Sequence, residues 1–218
     1  MNTDFSTLRT KMVDGQLRTT DVTSLPILDA MLAIPREDFV PAGRRSLAYI
    51  DEDIEIAPGR YLMEPSPFAR LLQLAQIGSG DFVLDVGAGT GYSAAVLSRL
   101  AGAVVALESD PALAQQAQTR LAALGCDTVA VVEGALQEGY ASEAPYDVIV
   151  LSGAVDEVPE ALLAQLKDGG RLAAVVGTGG TGVARLYTRH GGAVSSRRGF
   201  NAAVRPLPGF HSKPVFQF

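Results

Sequence analysis

Residues 82–91 read F-V-L-D-V-G-A-G-T-G. A short apolar run, Phe82 to Val86, ends in three glycines at 87, 89 and 91, and a further apolar segment follows. A run of this length, closed by turn residues, predicts a strand buried on both faces. The next apolar stretch predicts a helix over about 91–101. Glycines between the two let the backbone turn sharply and approach a ligand closely.

The pattern repeats downstream. Val104-Val105-Ala106-Leu107 reads as a second strand, and Pro111 opens a helix that runs to Gly125. Thr128–Val132 and Val148–Leu151 read as further strands. A helix is expected over about 158–167, then a strand from Arg171 to Val176. Apolar strands alternating with helices define an α/β fold with a parallel sheet covered on both faces. Ahead of it, residues 1–50 carry helical spacing, with Pro26 in a first turn and Pro35 as a stop. Residues 51–67 read as irregular, with a short extended piece near 53–56; Pro65 and Pro67 are expected to interrupt regular structure. Residues 183–218 read as an antiparallel strand addition. One domain is expected: N-terminal helices and a loop (1–67), a core (68–182) and C-terminal strands (183–218).

Glu108 stands at the end of the second strand, 19 residues after Gly89. An acid there is placed to accept hydrogen bonds from two ribose hydroxyls. Strand, glycine turn, helix, strand and acid together point to an adenosine-type ligand. The dinucleotide fingerprint G-x-G-x-x-G fails, because Tyr92 takes the place of its third glycine. Asp85, two residues before the first glycine, would repel a diphosphate. It suits a ligand with a sulfonium and an ammonium group, so S-adenosylmethionine is favoured over NAD. The candidate cofactor contacts are Asp85, Gly87, Ala88, Gly89, Thr90, Gly91, Glu108 and Ser109. Gly134, Ala135 and Leu136, after the third strand, are expected to border the adenine. Glu133 is open between a ligand contact and a solvated strand end. Ser152 is open between lining the transfer site and a plain turn.

Composition narrows the partners. The 218 residues carry a formal charge of −6, which argues against a nucleic-acid backbone as the main partner. No apolar run approaches the ~18–20 residues of a membrane helix. The start lacks the pattern of a signal peptide, and a cytoplasmic setting is expected. Cys126 stands alone, so no internal disulfide or Cys/His metal site is expected. His190 and His211 have no nucleophile at a recognisable spacing. G-T-G-G-T-G at 177–182 lacks the lysine of a phosphate loop. Phe210, Phe216 and Phe218 are expected to pack the tail onto the sheet.

Several blocks together resemble the protein-L-isoaspartate O-methyltransferase family. They are M-V-D-G-Q-L-R (12–18), I-P-R-E-D-F-V-P (34–41), A-Y-I-D (48–51), D-V-G-A-G-T-G-Y-S-A-A-V-L (85–97), A-P-Y-D-V-I-V (144–150) and Q-L-K-D-G-G-R-L (165–172). The resemblance implies a Rossmann-like S-adenosylmethionine-dependent methyltransferase sheet with added N-terminal helices and C-terminal strands. It implies methyl esterification of the side carboxylate of isoaspartyl residues in damaged proteins.

Two departures stand out. The family's substrate loop carries T-[IL]-S-x-P, aligned here with Tyr61-Leu62-Met63-Glu64-Pro65. Ala135 replaces the acid of the family's G-D-G. Met63 cannot donate the hydrogen bond that the serine hydroxyl implies for the substrate carboxylate. Tyr61 could replace it, and Glu64 either faces the site or points to solvent. Tyr61, Met63 and Glu64 are therefore the candidate acceptor-side residues. Three readings stay open: an isoaspartyl methyltransferase with a rebuilt loop, a methyltransferase for another acceptor, and an inactive cofactor-binding protein.

Overall fold

The computed structural model describes residues 4–177 and 181–210. Helix α1 (Phe5–Met12) is capped by Asp4, whose carboxylate accepts from the Ser6 and Thr7 N–H groups. Helix α2 (Leu25–Ala33) carries Pro26 in its first turn and ends before Pro35. Strands β1 (Ile54–Ala57) and β2 (Arg60–Leu62) form an antiparallel hairpin. The extended piece near 53–56 thus has a partner strand that the sequence pattern did not reveal.

Helix α3 (Pro65–Ala75) corrects the expectation for Pro65 and Pro67. Both prolines belong to its first turn, where N–H groups have no intrahelical acceptor and a fixed φ is already helical. They start the helix rather than interrupt it. Phe68, Leu71, Leu72 and Ala75 follow at helical spacing and are buried.

The main sheet contains β3 (Phe82–Val86), β4 (Ala103–Glu108), β5 (Val129–Glu133), β6 (Tyr146–Val155) and β7 (Leu166–Val176), all parallel. Strands β8 (Val183–His190) and β9 (Ala193–Asn201) continue it antiparallel, giving the order β5-β4-β3-β6-β7-β8-β9. Helices α4 (Tyr92–Leu97), α5 (Pro111–Ala123) and α6 (Glu160–Ala164) lie between strands. The helix after the glycines is shorter than the expected 91–101, and β6 is longer than 148–151.

Side chains alternate between two cores. Val83, Val104, Ala106, Val148 and Val150 face the N-terminal helices. Leu84, Val86, Val105, Leu107, Ile149 and Leu151 face the other side with Leu162 of α6. Both faces of each central strand are apolar, which is why these strands read as continuous hydrophobic runs. The chain leaves β3 towards β4 and β5, then returns to β6 on the other flank. β3 is therefore the switch point, and a crevice opens at its carboxyl end.

Among the described residues, no helix is long and apolar enough to cross a membrane. No group of three or more His, Cys, Asp or Glu among the described residues is placed to hold a metal ion. Cys126 is buried. His190 ends β8 exposed, and Phe210 is buried in the second core. Residues 178–180 of the glycine-rich tract, His211, Phe216 and Phe218 lie outside the described residues.

Candidate active site

Beyond β3 the backbone passes through Gly87, Gly89 and Gly91 with φ of 84°, 58° and 98°. Only glycine adopts such angles without strain. The N–H groups of Gly87 and Ala88 donate to the Leu107 carbonyl at 2.9 and 3.1 Å, which ties the loop to β4.

Asp85 is fully buried beneath this loop. It accepts hydrogen bonds from Ser93 Oγ at 2.5 Å and Ser152 Oγ at 2.6 Å. Ser93 lies in the first turn of α4 and Ser152 lies in β6, so one carboxylate gathers three elements. Burial pushes the Asp85 carboxyl up to about 6, against the opposing effect of the two serine hydroxyls.

Glu108 ends β4 and is also fully buried. It accepts from the backbone N–H of Gly89 (2.7 Å), Ser109 (2.7 Å) and Asp110 (2.9 Å). The guanidinium of Arg60, from β2, lies against the same carboxylate. Its Nη2 donates to Oε2 at 2.6 Å, and its Nη1 donates to Oε1. Burial alone would raise this carboxyl. Arg60 and the N–H donors outweigh it and hold the group below its ordinary value. A carboxylate offers about four lone-pair sites, and these donors occupy them.

The rest of the glycine turn is covered as well. A Cβ built on Gly87 would stand 2.6 Å from Leu207 Cδ2, and one on Gly89 would stand 2.7 Å from Ile56 Cδ1. Leu207 lies on the segment after β9, which is fixed to β6 by paired hydrogen bonds. Ala154 N–H donates to the Arg205 carbonyl at 3.0 Å, and Leu207 N–H to the Ala154 carbonyl at 2.8 Å. The space left beside Ile56, Tyr61, Met63 and Ser152 is about 20 Å³, room for one water.

The acceptor-side candidates separate. Tyr61 and Met63 line this space; Glu64 is not among its lining residues. The Met63 carbonyl accepts from Nη2 of the buried Arg36 at 2.7 Å. The Tyr61 ring lies 5.2 Å from the Arg205 guanidinium. Glu64 N–H donates to Asp53 Oδ1 at 2.9 Å, while Arg205 N–H donates to Asp53 Oδ2 at 2.9 Å. Asp53 thereby clasps the β2–α3 connection to the tail. Burial, then the charges of Asp53 and Asp51, push the Glu64 carboxyl up to about 7.

The fold gathers Asp85, the glycine loop, Glu108 and Ser109 at one sheet edge. Thr90 turns elsewhere: its hydroxyl donates to the buried Phe39 carbonyl at 2.6 Å. Gly134 N–H donates to the Glu108 carbonyl at 3.1 Å, and the Ala135 carbonyl accepts from Glu138 N–H at 3.1 Å. The Leu136 side chain packs in the second core. Sequence reasoning missed Arg60, Ile56, Ser93 and Leu207. Ser93 was open to discovery as a hydroxyl two residues past the last glycine of the turn. Arg60 and Leu207 carried no local signal.

A parallel sheet with a glycine turn at its switch point, an acid beneath the turn and an acid at the end of the next strand define a Rossmann-like methyltransferase. Comparison with known proteins sharpens this. The profile of the family "Protein-L-isoaspartate(D-aspartate) O-methyltransferase" matches residues 8–207, and the chain belongs to that family. It is 42% identical over 176 residues to the protein-L-isoaspartate O-methyltransferase of Koribacter versatilis, covering 81% of this chain and 79% of that one. A solved protein-L-isoaspartate O-methyltransferase superposes with a TM-score of 0.79 at 29% identity, over 92% of this chain and 66% of that one. A candidate member from Plasmodium falciparum, solved with S-adenosyl-L-homocysteine, superposes with a TM-score of 0.77 at 20% identity, covering 94% and 99% of the two chains. At that identity it speaks for the fold.

Proposed function

We propose that this protein transfers a methyl group from S-adenosylmethionine to the side-chain carboxylate of isoaspartyl or D-aspartyl residues in damaged proteins. The observation that carries the reading is the pairing of Asp85 and Glu108 around the glycine turn, in a chain of this family. The donor set fits the cofactor. Glu108 would accept from ribose hydroxyls once the Arg60 guanidinium leaves it, and Asp85 would supply a carboxylate towards the cationic end of the ligand.

S-adenosylmethionine supplies an electrophilic methyl group when bound. The acceptor carboxylate, with an ordinary pKa near ~4, is already ionised at neutral pH, so no strong base is required. The protein's task is to align the carboxylate oxygen and exclude water. Ile56, Met63 and Phe68 supply apolar walls to the cavity. The Tyr61 hydroxyl is the donor available in the loop for an acceptor carboxylate; Met63 offers none. A missing hydrogen bond to a charged group costs roughly 1.5–3 kcal/mol, so turnover is expected to be slow rather than absent.

The test is incubation with methyl-labelled S-adenosylmethionine and an isoaspartyl peptide, beside the normal aspartyl peptide. Base-labile label on the isoaspartyl peptide alone is the expected result. Label that is stable to base, or found only on another acceptor from a cell extract, overturns the acceptor. Cofactor binding without any transfer overturns the activity.

A further inference from the structure

The cofactor reading meets an obstacle in the fold itself. The acid assigned to the ribose is already bound, and the space over the glycines is filled by this chain's own side chains. We propose that Arg60 is an internal plug, its guanidinium holding Glu108 in place of the ribose hydroxyls, so that cofactor entry requires Arg60 to leave. This rests on Glu108 being the ribose acceptor.

Three observations converge. Arg60 and Glu108 are both buried and joined through two nitrogen–oxygen pairs, the geometry of a bidentate clamp. Ile56, from the same hairpin, lies over Gly89, so hairpin and plug cover the turn together. Leu207 lies over Gly87 and Gly153. Its segment is joined to the residues after β2 by Asp53, and by the Arg205 guanidinium over Tyr61. Hairpin and tail therefore form one linked cover, with Arg60 as its charged latch.

The consequence is a lowered apparent affinity. If only a fraction of molecules has Arg60 withdrawn, the observed Kd exceeds the intrinsic one by the inverse of that fraction. Arg60 is also contiguous with Tyr61, Leu62 and Met63. Withdrawing it moves the acceptor-side loop, so cofactor and acceptor binding are coupled, each altering the affinity for the other by the same factor.

The experiment is calorimetric titration of S-adenosylhomocysteine into the wild-type protein, Arg60→Gln and Arg60→Lys, with folding checked by circular dichroism. Gln removes the charge; Lys keeps it but loses the bidentate fork. At least tenfold tighter binding by Arg60→Gln, with Arg60→Lys between it and wild type, is the expected result. Equal or weaker binding by Arg60→Gln overturns the plug and leaves the cofactor reading standing. No binding by any of the three at millimolar ligand overturns both. Should the variants fail to fold, amide exchange on the wild-type protein decides. Saturating S-adenosylhomocysteine then accelerates exchange at Arg205 and Leu207 if the cover must move. Slowed or unchanged exchange there overturns the plug.

Discussion

The Arg60 guanidinium lies against the Glu108 carboxylate in the interior, one partner from a two-stranded hairpin and the other from the end of a central strand. Removing one member of such a pair leaves the other buried without its counter-charge, which typically costs about 3–5 kcal/mol. Removing both avoids that penalty. Glu108→Gln alone is therefore expected to lower unfolding stability by about 3 kcal/mol. The double variant Arg60→Gln/Glu108→Gln is expected to lose at least ~2 kcal/mol less than the sum of the singles. Urea denaturation of the four proteins gives the cycle. Simple additivity would show the two residues to be energetically independent.

The same pair shows where sequence reading reaches its limit. Glu108 was legible because strand, turn, helix and strand fix an acid at one edge through local spacing. Arg60 lies 48 residues away, on a three-residue strand too short to show any period. Pro65 and Pro67 were misread for a related reason. Proline forbids a helix interior and suits a first turn, and the sequence alone did not distinguish the two. The parallel sheet, by contrast, was plain from its double-faced apolar runs. The cover over the site depends on Leu207, about 120 residues after Gly87, and such contacts leave no trace in local pattern.

If Asp85 faces the cofactor's cation as proposed, cofactor affinity is expected to depend on pH. Burial disfavours the charge and pushes its carboxyl from 3.8 up to about 6. A sulfonium cation is attracted to the ionised form. Affinity for S-adenosylmethionine is therefore expected to be highest above pH 7 and to fall as pH drops through 6. Asp85→Asn should bind more weakly at pH 8 and lose most of this dependence. Calorimetry from pH 5 to 8 makes the comparison. A wild-type profile that is flat, or that rises towards acid, would remove Asp85 from the cation's surroundings.

Arg36 is fully buried, and no carboxylate hydrogen-bonds to it among the described residues. Its Nε donates to the Ala48 carbonyl at 2.7 Å and its Nη2 to the Met63 carbonyl, while its guanidinium carbon lies 4.9 Å from the centre of the Tyr92 ring. It thus fixes the β2–α3 connection by its backbone. Arg36→Met keeps much of the packing and leaves two carbonyls without a donor, at a typical cost of about 1–3 kcal/mol each. Relief from burying the charge offsets part of this. A net loss of about 2 kcal/mol in urea denaturation is expected. An unchanged midpoint would mean that water replaces both hydrogen bonds.

Glu64 gives a stability effect with the opposite pH sense from a salt-bridged acid. Its carboxyl is raised from 4.5 to about 7, first by burial and then by Asp53 and Asp51. A folded-state pKa above the unfolded value means that the native protein holds the proton more tightly. The contribution is complete below pH 4.5 and is lost as pH rises through 7. Glu64 is half-buried, so solvent screening reduces the effect to about 1 kcal/mol. Glu64→Gln carries no charge to penalise. It is expected to be more stable than wild type by that amount at pH 8 and no different below pH 5. Thermal melts of both proteins across this range test it. A Glu64→Gln advantage that persists unchanged at pH 4 would point to packing, and would free Glu64 to be ionised beside the acceptor site.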